Sequence, residues 1–278
     1  MQKLTLREMQ QEELRILVFF DEFCCQHGIR YSLADGTLLG AVRHKGFIPW
    51  DDDVDVYVPR EDYERLLAIY EQNDNYRLLT FRNDPKYPYP FAKICSCRTY
   101  LQEECSLAEY TSDNMGVCID IFPTDLLETP DSFLFWWKNK RFHTLISTVT
   151  MRSRHNFSFR RAFWSFLLKM LGITPYQLLC AWENFTKRAM GKPCTTMGAP
   201  FTWGGGVLDA EMWNHLIRLE FEGHQFWAFE DYDTFLAKEY GDYMTPPPPE
   251  KRESHDNHAY WRNQLEGDEQ NEIDESAV

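Results

Sequence analysis

The chain has 278 residues, 44% of them hydrophobic and 15% aromatic, with 14 Gly and 14 Pro, which supplies a sizeable core and excludes a collagen, a coiled coil or a small disulfide scaffold. With 43 acidic against 29 basic residues the formal net charge is -14, which argues against nucleic acid as the partner. The eight cysteines include no Cys-x-x-Cys pair, and the charged Met1 to Glu13 stretch offers neither a secretory h-region nor a transit peptide, so the reading is a cytoplasmic chain with reduced thiols.

Leu6 to His27 carries Leu14, Leu17, Val18 and Phe20 at helical spacing, with Gly28 where a C-terminal cap belongs. Arg30 to Leu33 reads as a short strand, Gly36 to Arg43 as a small helix, and Val54, Val56 and Val58 alternate with Asp53, Asp55 and Tyr57 as a strand does. Arg60 to Glu71 returns to helical spacing; Tyr76 to Phe81, Phe91 to Cys97 and Val117 to Phe122 are further strands. Cys95 and Cys97 then alternate along a strand that buries one thiol; a metal gathered by Cys95, Cys97 and Cys105 is the weaker alternative. From Asp131 to Lys192 the pattern is helical and aromatic-rich, followed by strands within Leu219 to Phe229 and a helix over Tyr232 to Tyr240. The fold class is therefore α/β of the α+β kind: a mixed-sheet core with an opening helix over residues 1–130, and a helical region over 131–264 whose C-terminal elements complete the same domain. Residues 265–278 hold six acids and no Lys or Arg and read as a disordered tail.

The chemistry concentrates early. A strand running into Gly36-Thr37 and a helix puts backbone N–H groups and a hydroxyl at a helix N-terminus, which favours phosphate. In Asp53-Val-Asp-Val the period of two puts Asp53 and Asp55 on one face, with Asp51 sharing their parity. Paired carboxylates repel unless a hard cation joins them, and oxygen ligands suit Mg²⁺ or Mn²⁺. Cys118-Ile-Asp-Ile-Phe offers a third carboxylate, Asp120. Three such groups on adjacent strands can hold two ions about 4 Å apart for displacement at phosphorus.

A glycine turn followed by Asp-x-Asp and a distant Asp is the pattern of the nucleotidyltransferase fold. The stretch Asp35-Gly-Thr-Leu-Leu-Gly-Ala-Val-Arg-His-Lys-Gly-Phe-Ile-Pro-Trp-Asp-Asp-Asp-Val-Asp resembles the signature of the LicD family of phosphocholine transferases, related to the fukutin-related proteins. Phe91-Ala-Lys-Ile, Ile119-Asp-Ile-Phe-Pro-Thr-Asp, Phe221-Glu-Gly and Tyr240-Gly-Asp-Tyr-Met-Thr-Pro-Pro-Pro-Pro-Glu-Lys-Arg-Glu-Ser-His resemble that family in the same order. The resemblance implies transfer of a substituted phosphate, typically phosphocholine from CDP-choline or another CDP-alcohol, to a sugar hydroxyl of a cell-surface glycan or its lipid-linked precursor, with CMP released and Mg²⁺ (or Mn²⁺) required. It implies Asp53, Asp55 and Asp120 as catalytic carboxylates and metal ligands, Asp120 alternatively taking the acceptor proton. Gly36 and Thr37 would hold phosphate oxygens, and His255, which resembles a family position after the proline run, is a candidate substrate-binding residue. Arg43 and Lys93 are the cations expected to neutralise the departing pyrophosphate charge.

Other readings compete. Asp51, Asp53, Asp55 and Asp62 match positions 1, 3, 5 and 12 of a calcium loop, but position 6 needs a left-handed Gly and here is Val56. A glycosyltransferase with an Asp-x-Asp motif normally places it after a longer nucleotide-binding region, and a nucleotidyltransferase moving NMP shares the fold without sharing the phosphorus attacked. Between Asp131 and Glu183 there is no acid, while Lys138, Lys140, Arg141, Arg152, Arg154, Arg160, Arg161 and Lys169 fall inside. With Phe159, Phe163, Phe166, Leu167 and Met170 at helical spacing, residues 138–169 suit peripheral contact with the anionic inner membrane face. The opposing reading buries these aromatics in the helical half.

Overall fold

A computed structural model describes residues 2–102, 110–127, 133–150, 159–189, 194–200, 207–252 and 258–262, and the statements below concern these. His255, Cys105, Arg152, Arg154, the 265–278 tail and the side chains of Arg160 and Arg161 lie outside the described residues.

Helix α1 (Leu6–His27) starts at a capping box in which Thr5 Oγ1 accepts the Glu8 N–H and the Glu8 carboxylate accepts the Thr5 N–H. It ends where Gly28 takes φ 64° and donates to the Cys24 carbonyl. Met9, Ile16, Leu17, Phe20 and Cys24 form its buried side, which packs on the sheet. Along the chain follow β1 (Ser32–Leu33), α2 (Asp35–His44), β2 (Asp55–Pro59), α3 (Arg60–Ile69), β3 (Tyr76–Leu79), β4 (Ala92–Ser96), β5 (Thr99–Gln102) and β6 (Cys118–Leu126). The second half brings α4 (Phe133–Thr150), α5 (Phe159–Met170), α6 (Pro175–Thr186), β7 (Thr196–Gly198), β8 (Val207–Asp209), β9 (Leu216–Phe221), β10 (His224–Phe229), α7 (Tyr232–Tyr240) and β11 (His258–Trp261).

The main sheet is mixed and runs β1-β2-β6-β4-β3, with β7 on the end of β6 and β8 on β7. Its centre is β6, parallel to β2 on one side and antiparallel to β4 on the other. The valine alternation is realised: Val54, Val56 and Val58 are fully buried. The ladder itself begins only at Asp55, so Asp53 precedes it. Cys95 is buried within β4 and Cys97, just past its end, is half-buried. The third strand is longer than expected, passing through Pro123 to Leu126, because the pairing with β7 continues it past the proline. Strands β5 and β11 pair with each other away from the main sheet.

The helices of the second half are tied to the sheet by polar groups. Trp182 on α6 donates to Asn139 on α4 at 2.7 Å, and Asn139 donates to the Pro200 carbonyl at 2.8 Å. More costly to build is a buried ion network. Arg60, at the start of α3, holds both carboxylate oxygens of Asp125 on β6 at 2.7 Å and reaches Glu183 on α6 at 3.4 Å. Arg82 and Lys187 complete it by contacting Glu64 and Glu183. Burial pushes the Glu64 carboxyl up, but hydrogen bonds from Arg82 and Lys187 outweigh it and hold it at about 2. A depressed carboxyl contributes stability above its unfolded-state value and loses it as pH falls through the folded value. The stability gap between the native chain and Glu64→Gln is therefore expected to be full at neutral pH and to close between about pH 5 and 2, as read by urea unfolding at a series of pH values.

Candidate active site

The register of three neighbouring strands builds the site. Asp55 stands opposite Asp120 across the parallel β2–β6 pair, and Lys93 stands opposite Asp120 across β6–β4. Strands so paired lie about 4.8 Å apart, so the three functional groups form one row across the sheet. Within it the Lys93 Nζ is 2.6 Å from Asp120 Oδ1. The Lys93 ammonium also lies 5.1 Å from the Tyr89 ring centroid and 5.5 Å from that of Phe91, and the side chain is buried. A buried lysine is tolerable here because a carboxylate and two aromatic faces compensate it.

Asp51, Asp53 and Asp55 keep partial exposure while Val54 and Val56 are buried and Asp52 turns inward, so the parity anticipated for the acids holds. Helix α2 positions the row from one side. Thr37 is buried and its Oγ1 accepts the Asp55 N–H at 2.9 Å, tying the helix to the strand. Ala34 N–H donates to the Asp55 carbonyl at 3.0 Å. Gly36 lies against Asp51: a Cβ there would come 2.8 Å from Asp51 Oδ2. From α1, Gln10 donates to the Asp51 carbonyl at 2.9 Å. Arg43 points along α2 towards the C-terminal segment, where it donates to the Tyr243 carbonyl at 2.7 Å. His255 lies outside the described residues.

Two further carboxylates belong to this field and were not assigned from sequence. Glu13 on α1 is buried and its Oε2 has no hydrogen-bond partner. Burial, then the charges of Asp53, Asp52, Asp51 and Asp120, hold its carboxyl well above the usual range. The available signal was an acid on the buried stripe of α1, between Met9 and Leu17. Asp35 opens α2 with φ 40°, a left-handed conformation that Asp tolerates better than most residues. It accepts the Tyr57 hydroxyl at 2.8 Å, and burial, with added repulsion from Glu239 and Asp53, pushes its carboxyl up to about 6 against that hydrogen bond. Asp55 is likewise held well above its ordinary value, by burial and then by Asp53, Asp120, Asp35 and Asp51.

This concentration of like charge bears on a metal. The donor set is all oxygen, and an orphaned buried carboxylate faces it, which is the chemistry a hard divalent ion requires. As the side chains stand, no three His, Cys, Asp or Glu among the described residues are gathered round one point, and Asp120 is turned onto Lys93. The calcium-loop arrangement does not form: Asp62 lies on α3 and its carboxylate takes Arg30 and Arg65, both within 2.9 Å.

Gly36→Ala tests how closely the turn and the acids are fitted. Alanine favours the helix by about 0.5 to 1 kcal/mol, and the Asp51 carboxylate it meets is the movable end of a side chain. The melting temperature is expected to hold, while displacement of Asp51 lowers kcat/KM by on the order of ten- to a hundredfold. A parallel loss of stability and activity would instead mark a folding defect.

Comparison with known proteins accords with this geometry. The LicD/FKTN/FKRP nucleotidyltransferase domain matches residues 28–170. The lipopolysaccharide cholinephosphotransferase LicD of Haemophilus influenzae is 33% identical over 267 residues, covering 92% of this chain and 97% of that protein. An uncharacterized protein of Rickettsia prowazekii is 47% identical over 51 residues, 18% of this chain and 19% of that one. The ribitol 5-phosphate transferase FKRP of Homo sapiens is 57% identical over 35 residues, 13% of this chain and 7% of its own. A match spanning nearly the whole of both chains, together with the domain match, identifies the protein as a member of the LicD family.

Proposed function

We propose that this chain transfers a substituted phosphate, phosphocholine from CDP-choline being the first candidate, to a sugar hydroxyl of a cell-surface glycan or its precursor. The observation that carries the reading is its end-to-end similarity to a lipopolysaccharide cholinephosphotransferase; the row Asp55, Asp120 and Lys93 supports it. In the reaction the acceptor oxygen forms a bond to the phosphorus bearing the head group, the bond from that phosphorus to the pyrophosphate bridging oxygen breaks, and CMP leaves with the electron pair. Mg²⁺ or Mn²⁺, when bound by Asp53 and Asp55 with Asp120, supplies positive charge to the phosphate oxygens.

The remaining roles fall to side chains. Lys93 is suited to balance the charge that grows on the departing CMP, because its ammonium is already desolvated and positioned beside Asp120. Asp120, if released from Lys93 by the donor phosphates, can accept the hydroxyl proton. Gly36, in the first turn of α2, leaves the Asp51 carboxylate room beside a helix N-terminus whose dipole favours a phosphate. Thr37 and Arg43 hold the frame: one carries the Asp55 backbone and the other the Tyr243 carbonyl.

The test supplies Mg²⁺, a cell-envelope glycan acceptor and, in turn, CDP-choline, CDP-ethanolamine, CDP-glycerol and CDP-ribitol. CMP release matched by transfer of labelled head group to the glycan is the expected result. Preferential binding of UDP-sugars in calorimetry, with sugar transferred instead, would overturn it in favour of glycosyl transfer.

A further inference from the structure

Twelve large hydrophobic side chains are exposed among the described residues, and nine of them fall between Phe133 and Tyr176. On α4 the exposed positions Phe133, Leu134, Trp137, Lys140, Arg141 and Thr144 follow the helical period, so one face opens apolar and turns cationic. The Arg141 guanidinium lies 4.8 Å from the Trp137 ring centroid, where the two characters meet. Helix α5 packs on α4 and turns Phe163, Trp164, Phe166, Lys169 and Met170 to solvent, while Leu168 points inward. Phe166 is 64% and Met170 70% exposed. These side chains are therefore not the core of the helical half. That core is made by Ile146, Leu179, Trp182 and Phe185.

Exposed apolar surface on this scale marks an interaction site. The charge around it selects the occupant. No Asp or Glu occurs between Asp131 and Glu183, although the chain as a whole carries -14. No helix among the described residues is long and apolar enough to cross a membrane. A bulky aromatic and aliphatic face with Lys and Arg beside it fits a helix lying in the headgroup region of an anionic bilayer. In a two-fold contact between copies this face would meet itself and set cation against cation, whereas anionic lipid headgroups complement it.

We infer that α4 and α5 form a peripheral docking surface for anionic lipid bilayers. Docking owes nothing to the transfer chemistry proposed above and can be measured without it.

The full chain is to be sedimented with vesicles of phosphatidylcholine alone and of phosphatidylcholine mixed with phosphatidylglycerol, at low and high salt. Binding to the mixed vesicles, weakened by salt, is expected, with little to the neutral ones. Lys140→Glu with Lys169→Glu should weaken binding by on the order of thirtyfold or more, and Phe166→Ser with Met170→Ser by at least a comparable factor. All four positions are exposed, so circular dichroism and hydrolysis of a soluble donor should remain unchanged. Absence of binding to anionic vesicles at low salt, or binding unaltered in both double variants, would overturn the inference. A native chain that sediments alone as a dimer, and becomes monomeric in Phe166→Ser with Met170→Ser, would also overturn it and make the face a contact between copies.

Discussion

Asp55→Asn and Asp120→Asn are each expected to lower transfer by on the order of a hundredfold or more, Asp55→Asn without loss of stability and Asp120→Asn with some, because it strands the buried Lys93 ammonium. The reason lies in the register: the two carboxylates face each other across adjacent parallel strands, and Asp55 is surrounded by further acids that hold its carboxyl well above the ordinary range, after burial itself. A group repelled in this way does not stabilise the chain, so Asp55→Asn should melt at the same temperature or higher. Mg²⁺ titration by calorimetry separates the roles. Loss of ion binding in Asp53→Asn and Asp55→Asn would mark them as ligands, and retention of full transfer in Asp55→Asn would remove the carboxylate row from the mechanism. Lys93→Met is expected to reduce kcat more than KM, because the charge it is proposed to balance would grow only as CMP departs.

Arg60→Ala is expected to be the most destabilising single change outside the hydrophobic core. Both Arg60 and Asp125 are almost fully buried, at 3% and 2% side-chain exposure, and removing the guanidinium leaves Asp125 charged, buried and without its two hydrogen bonds from Arg60. Breaking such a pair costs about 3 to 5 kcal/mol, a fall in melting temperature of roughly 6 to 20 °C for a chain of this size. Asp125→Ala in the same background should recover part of the loss, since it removes the stranded charge. Arg60→Lys keeps the charge without the two-pronged geometry and should fall between. If calorimetry showed Arg60→Ala melting like the native protein, the network would be ornamental to stability.

Much of this architecture is legible in the sequence because the signals are local. The 3.6-residue stripe and Gly28 define α1 closely, and the Val54, Val56, Val58 alternation marks the strand beside the acids. Thr37 shows where locality ends. Its hydroxyl is expected to meet phosphate, and it also accepts the Asp55 N–H from a strand running alongside α2, a partner 18 residues away that no period reveals. Arg43, expected to meet pyrophosphate, also donates to a carbonyl 200 residues distant, a bond equally invisible to any local pattern. Glu13 escaped notice because a helical acid reads as solvated unless the opposite face is known to be more acidic still. The pairing of β5 with β11 joins residues separated by more than 150 positions, beyond any pattern a short window contains. The aromatics of α5 were open to two readings, core or surface, and amphipathic spacing alone does not distinguish them; only the packing of Leu168 inward and Phe166 outward does.

The bond from Arg43 to Tyr243 belongs to a wider closure of the chain on itself. Leu4 N–H donates to the Ala259 carbonyl, Trp261 N–H to the Gln2 carbonyl, and Lys3 bridges to Tyr260, so residues 2–4 are held by residues 259–261. Helix α2, which carries the Gly36-Thr37 turn, packs on β9 and α7. Contacts of such long sequence separation delay folding, because the loop must close before they reward it. During synthesis the Asp53 and Asp55 segment emerges early, but the frame around it waits for residues beyond 240. A ribosome-bound chain halted before Tyr243 therefore holds the carboxylates without the clamp on α2, and competence for transfer arrives late, with the last elements rather than with the acids themselves.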